Sequence, residues 1–214
     1  MKSRRPGWIT WATRGVFGVL AFVALGAVIR TNWMMEVTAR QSMGIEEMST
    51  LEAMSIALFS GMPLLLLFFA AGLLAEALEQ HVLARRLTHR TGAALHWTPR
   101  IGMLLFALFV SLFALDIFGQ GYSLWETIVG LTMHLLPTFL LLGVLAIAWR
   151  WPAAGGILVL VVAGLFLVQF GGGSGLFWML LFIGPPVAIG LMFLADWWLQ
   201  KEVDGSDHAP SAAV

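Results

Sequence analysis

Apolar runs of about 18 residues or longer, unbroken by charge, restrict a fold more than any other sequence feature. This chain has six, at about 15–35, 53–75, 101–118, 124–149, 152–170 and 176–199. They do not alternate apolar with polar residues, as barrel strands do. In lipid every backbone polar group needs an internal partner, so continuous runs of this kind must be helices. At ~1.5 Å per residue each run crosses a hydrocarbon core of ~30 Å, the third and fifth with least to spare. The expected fold class is all-α: a polytopic transmembrane helical bundle of six spans, built as three helical hairpins.

Composition agrees with that reading. Of 214 residues, 59% are apolar types and 11% are charged, against about 25% charged in an ordinary soluble domain. A soluble domain of this length has too little interior to hide so much apolar surface. Formal net charge is zero, so nothing draws the chain to nucleic acid, and no such partner is expected. The absence of cysteine excludes disulfides, thiolate zinc sites and cysteine-ligated iron–sulfur clusters. The basic stretch Met1 to Arg14 precedes an apolar run, as in a signal peptide. No small-x-small cleavage site follows, and the chain continues through Trp33 and Met35, so this is read as an uncleaved first span.

Orientation follows from the basic residues. With the N-terminus inside, Lys2, Arg4, Arg5, Arg14, Arg85, Arg86, Arg90, Arg100, Arg150 and Lys201 all lie on the inner side. Only Arg30 and Arg40 lie outside. This positive-inside bias predicts an inner (cytoplasmic) membrane protein with both termini cytoplasmic. Tryptophan is an independent marker of the membrane–water boundary. Trp8, Trp11, Trp97, Trp149, Trp151, Trp197 and Trp198 fall at inner boundaries, and Trp33, Trp125 and Trp178 at outer ones.

Between the spans, Ser49-Thr50-Leu51-Glu52 fits a capping box opening span two, with Glu46 and Glu47 nearby. The helix of span two is expected to continue into the cytoplasm from Glu76 to Arg90. Leu78, Val82 and Leu87 would face the membrane there, and His81, Arg85 and His89 another side. The lipid-facing bases Arg85, Arg86 and Arg90 suit anionic headgroups. His81, His89 and His96 do not read as a metal site, because the first two lie about 12 Å apart on one helix. The chain divides into 1–97, a two-span hairpin plus cytoplasmic amphipathic helix; 98–200, a four-span core; and 201–214, a disordered cytoplasmic tail. Proline recurs in each returning span, at Pro63, Pro137 and Pro185-Pro186. Trp-x-x-Arg introduces spans one and three (Trp11 to Arg14, Trp97 to Arg100), a faint sign of internal repetition.

Several short motifs follow one another from Thr98 to Trp198. They are Ala114-Leu115-Asp116-Ile117-Phe118, His134-Leu135-Leu136-Pro137-Thr138, Ala148-Trp149-Arg150-Trp151 with Gly155-Gly156, and Gly184-Pro185. In order and spacing they resemble a small bacterial and archaeal family of four-span integral membrane proteins of unknown function. In that family an acidic residue usually follows Trp-Arg-Trp; here Pro152 does. The resemblance implies an architecture and no activity.

Among residues that can carry chemistry, His134 stands about ten residues inside span four, roughly 15 Å deep and near the midplane. Thr127, Gly130, His134 and Thr138 share one helical face, which should point into the bundle, with Pro137 beside them. An intramembrane histidine is either a neutral group bonded across helices, for instance to Ser111, or a proton-handling, ligand-binding or pigment-ligating one. Asp116 and Glu126 flank the short outer turn 118–124, where two carboxylates at one height can share a proton or bind a cation, or simply be solvated. Trp149, Arg150 and Trp151 form an inner-face anchor. Asp196 is placed to pair with Arg150 or Arg100. Gln169 and the glycines 171–173 and 175 read as a connector.

No nucleophile elbow, zinc-protease motif or dinucleotide fingerprint is present. The leading expectation is a non-enzymatic accessory or structural membrane subunit. It would have no cofactor or metal, and its partners would be the lipid bilayer and other membrane subunits or a second copy. The alternatives are a small-solute or proton permease using His134, and a haem- or quinone-binding redox subunit.

Overall fold

The computed structural model describes residues 8–44, 50–118, 120–170 and 176–204, with side chains in full over 61–118, 120–169 and 179–200. The described helices are α1 (Trp8–Met43), α2 (Thr50–Ala84), α3 (His89–Ser111), α4 (Leu124–Arg150), α5 (Pro152–Phe170), α6 (Leu176–Phe182) and α7 (Gly184–Asp204). A 3-10 segment, Leu112–Ile117, prolongs α3, and no strand occurs among the described residues. Five stretches are long and apolar enough to cross a membrane: Gly61–Ala84, His89–Ile117, Leu124–Arg150, Pro152–Gln169 and Met179–Gln200. The protein is therefore an all-α, membrane-embedded bundle. In α1, where the first of the six spans was expected, the described apolar stretch is Ala21–Thr31.

Local chemistry sets most of the boundaries. Ser123 caps α4: its Oγ accepts from the Glu126 N–H, while its own N–H donates to the Glu126 carboxylate at 2.9 Å, a reciprocal box that satisfies two orphan groups. Pro152 opens α5, where a missing N–H costs nothing. The α4–α5 turn is tight because Gly155 lies directly on Ala148. A Cβ there would come within 2.1 Å of the Ala148 Cβ. At the next residue, a Cβ on Gly156 would meet the Gly190 carbonyl oxygen at 2.9 Å, and one on Gly190 the Gly156 oxygen at 3.1 Å. The α5 and α7 backbones thus touch through glycine, the close approach that small residues permit between membrane helices.

At least half of the apolar stretch of α3 and of α7 is buried, more than in any other crossing segment, and they form the centre of the bundle. α2, α4 and α5 surround them, and α1 packs along α2. One apolar cluster joins Met103, Phe106 and Phe109 of α3 to Leu141 and Leu145 of α4, Val159 of α5, and Ile189 and Phe193 of α7. A second joins Ala70 and Ala77 of α2 to Leu87, Leu95 and Met192.

Three expectations are corrected. The helix of span two does not run on to Arg90. It ends at Ala84, and Arg85 takes a left-handed conformation (φ 51°). α3 then starts at His89, about a dozen residues before the expected third span. The cause is a polar clasp. The Gln80 amide accepts from the Thr88 N–H at 2.9 Å and donates to Thr91 Oγ1 at 2.9 Å and Glu76 at 3.2 Å. Thr88 in turn caps α3 at Thr91. His81 and His89 therefore lie on different helices, and Leu87 is buried rather than facing lipid. The sixth run is likewise two helices. Pro185 and Pro186 have no N–H for the carbonyls of Leu181 and Phe182, and the ladder breaks at Ile183. Pro63 and Pro137 sit inside α2 and α4. α7 extends to Asp204, into the expected tail. The capping box at Ser49–Glu52, with Glu46 and Glu47, lies outside the described residues and side chains, as does the chain from 205.

Candidate functional site

Two polar sites could carry function, and the first is an end of the bundle ringed by exposed Trp97, Trp149, Trp151, Trp197 and Trp198. Inside that ring, α3 and α7 are tied by an ion pair. Arg100 Nη1 donates to Asp196 Oδ2 at 3.1 Å, and both side chains are only 2% exposed. Of the two partners the sequence allowed Asp196, the fold selects Arg100; Arg150 is exposed. His96 Nδ1 lies 3.2 Å from the same carboxylate oxygen, and Gln200 donates to Oδ1 at 3.2 Å. Arg100 also donates to the His96 carbonyl and stands over the Phe193 ring at 5.6 Å. One polar atom of this cluster, Arg100 Nε, is buried without a partner among the described residues. Taking a charge pair out of water is costly, and only good geometry with extra hydrogen bonds offsets it. Here the carboxylate is bonded on both oxygens, so the cluster is a structural tie between the two central helices. On the same end, the His81 ring packs against Trp198 with centroids 4.8 Å apart. Arg85, Arg86 and Arg90 are exposed there.

The second place surrounds His134, in the half of the bundle away from the tryptophan ring. The face predicted to point inward does so in part: Thr138 is buried, Thr127 and Gly130 are half-buried, and His134 is exposed at the edge of a cavity. The His134 ring does not reach Ser111, which bonds the Leu108 carbonyl instead. Its Nδ1 lies 3.0 Å from the Gly130 carbonyl, one turn back on its own helix. A carbonyl only accepts, so Nδ1 carries a proton, and in the uncharged form of the ring Nε2 is left as an acceptor. The cavity, about 620 Å³, is lined by Val110, Phe113, Met133, His134, Pro137, Phe166, Gln169 and Phe182. Beside it, Thr138 Oγ1 is buried with no hydrogen-bond partner among the described residues.

On the side of the tryptophan ring, packed core adjoins this cavity. One or two turns on, the same helices present Phe106, Leu141 and Val162, all buried in packed core. The arrangement can hold a molecule; among the described residues it offers no polar track through the bundle.

The other expected residues are scattered. Glu126 accepts from the Ser123 N–H at 2.9 Å and the Ser123 hydroxyl at 2.8 Å, so its carboxylate is committed to the α4 cap. Asp116 is exposed on the 3-10 segment, where its carbonyl accepts from Gln120 at 3.2 Å. Neither touches His134. Among the described residues, no three His, Asp or Glu side chains group as a metal site. The cavity residues that sequence reasoning missed are Gln169, read as connector, and the rings of Phe113, Phe166 and Phe182. They come from three separate segments, and no local pattern announces that they converge.

Neither a curated protein nor a solved structure matches the chain. A family model does match residues 87–204, from the end of the α2–α3 clasp through α7. It thus covers both the Arg100–Asp196 tie and the His134 cavity. The chain belongs to the family described as a domain of unknown function, DUF7670.

Proposed function

We propose that this protein is a non-enzymatic accessory subunit of the cytoplasmic membrane, a rigid helical core that associates with other membrane proteins or with its own copies. The observation that carries this reading is the use of its buried charges. Arg100 and Asp196 are bonded to each other and to neighbouring side chains, which suits a scaffold rather than a reacting centre. Orientation belongs to the same proposal. The tryptophan-ringed end, with exposed Arg85, Arg86, Arg90 and Arg150, faces the cytoplasm and its anionic headgroups. α1, 36 residues long and so ~54 Å at 1.5 Å per residue, is the sixth crossing and puts both termini on that side. Quantitative crosslinking in native membranes tests the role. A defined hetero- or homo-oligomer is expected; recovery of the chain as an isolated monomer would count against it. The packed apolar core on the tryptophan-ring side of the His134 cavity favours holding a molecule over passing one, which speaks against a permease.

A further inference from the structure

Three features of the His134 cavity define what fits it. First, its walls are apolar and strongly aromatic, with Phe113, Phe166 and Phe182 joined by Val110, Met133 and Pro137. Its volume of about 620 Å³ falls in the ~300–1,000 Å³ range of small-molecule sites. Second, no lining residue carries a fixed charge, so an ion entering it would lose its hydration without compensation. Third, the polar groups are mainly acceptors. His134 Nε2 is an acceptor because Nδ1 is held by the Gly130 carbonyl. Pro137 has no N–H to donate to the Met133 carbonyl, four residues earlier between two lining positions. Gln169 adds an amide with no partner among the described residues, able to accept or donate.

We infer that the cavity binds a neutral, ring-bearing amphiphile from the membrane, oriented by one hydroxyl that donates to His134 Nε2. The ring lies among the three phenylalanines, which favour offset or edge-on aromatic contact. A ligand without a donor fills the same space but leaves the acceptors unsatisfied, the mismatch that polar sites reject most strongly. This inference goes beyond the accessory role and does not depend on it.

The test uses the full chain in lipid nanodiscs with two probes of similar shape, 4-decylphenol and its methyl ether, which has no donor. Binding is followed by the imidazole ¹⁵N resonance of His134, identified by its loss in His134→Phe. Expressing each probe as its mole fraction in the bilayer removes differences in partitioning. The phenol is expected to half-saturate at a fraction up to about tenfold lower than the ether. It should also move the Nε2 resonance, which the ether should not. Followed by thermal shift, His134→Phe should erase the preference while leaving ether binding. Val110→Trp should abolish both; if that variant fails to fold, Met133→Trp at the exposed edge should do the same. Equal half-saturation by the two probes, an unmoved Nε2 resonance, or binding that survives both tryptophan variants would overturn the proposal.

Discussion

Arg100 and His134 stand on adjoining helices, α3 and α4, both within segments long enough to cross a membrane, yet their surroundings differ in kind. Arg100 is 2% exposed and bonded to a carboxylate on α7, which is itself held by Gln200 and approached by His96. His134 is exposed at a cavity edge and bonded only to its own helix. A polar group bonded across helices cannot be removed without loosening them. One bonded within its own helix leaves the packing alone and keeps its second nitrogen for something else. The comparison separates residues that build the bundle from residues that are available to act.

Four substitutions probe that division, starting with the largest effect. Arg100→Ala leaves the Asp196 carboxylate buried and unpaired, and should cost ~3–5 kcal/mol, read by thermal or denaturant unfolding in micelles. Arg100→Met combined with Asp196→Leu should recover most of it. A single-site cost below ~1 kcal/mol would remove the contrast with His134 altogether. Next comes Gly155→Val, whose Cβ would collide with Ala148. Overpacking of this kind costs ~1–3 kcal/mol, more where backbone must move. Gly143→Ala, which meets nothing within 4 Å, is the matched control and should fold at least as well. Gln200→Ala removes its hydrogen bonds to Asp196 and His96 from the tie, and about 1 kcal/mol is expected in the same assay. His134→Phe should change stability by no more than about 0.5 kcal/mol. A loss of 2 kcal/mol or more would make His134 another structural residue.

The helical membrane character was legible because continuous apolar runs have only one solution in lipid. The ends of α4 and α5 fell where Arg150 and Pro152 suggested. The break at Arg85 was not legible. The stretch from Glu76 to Arg90 has neither glycine nor proline, and its interruption depends on Gln80 reaching forward to Thr88 and Thr91. Thr88, a good N-cap residue, was the available signal. At the site, depth and face drew attention to His134 from the sequence alone. The direction of its hydrogen bond, and the three rings gathered beside it, depend on how four segments pack. Asp196 was paired from sequence with either of two arginines; only the α3–α7 contact decides between them.

The Arg100–Asp196 tie also imposes an order in time. The two residues are 96 positions apart, and the carboxylate lies near the end of the last crossing helix. At ~5–20 residues per second, synthesis delivers Asp196 roughly 5–20 s after Arg100. Throughout that interval a guanidinium destined for the buried α3–α7 contact lacks its Asp196 counter-ion. The half-made protein must keep it near the headgroups or shelter it with the insertion machinery. A ribosome stalled before Asp196 would therefore leave a marked intermediate, its unpaired arginine distinguishing unfinished chains from finished ones.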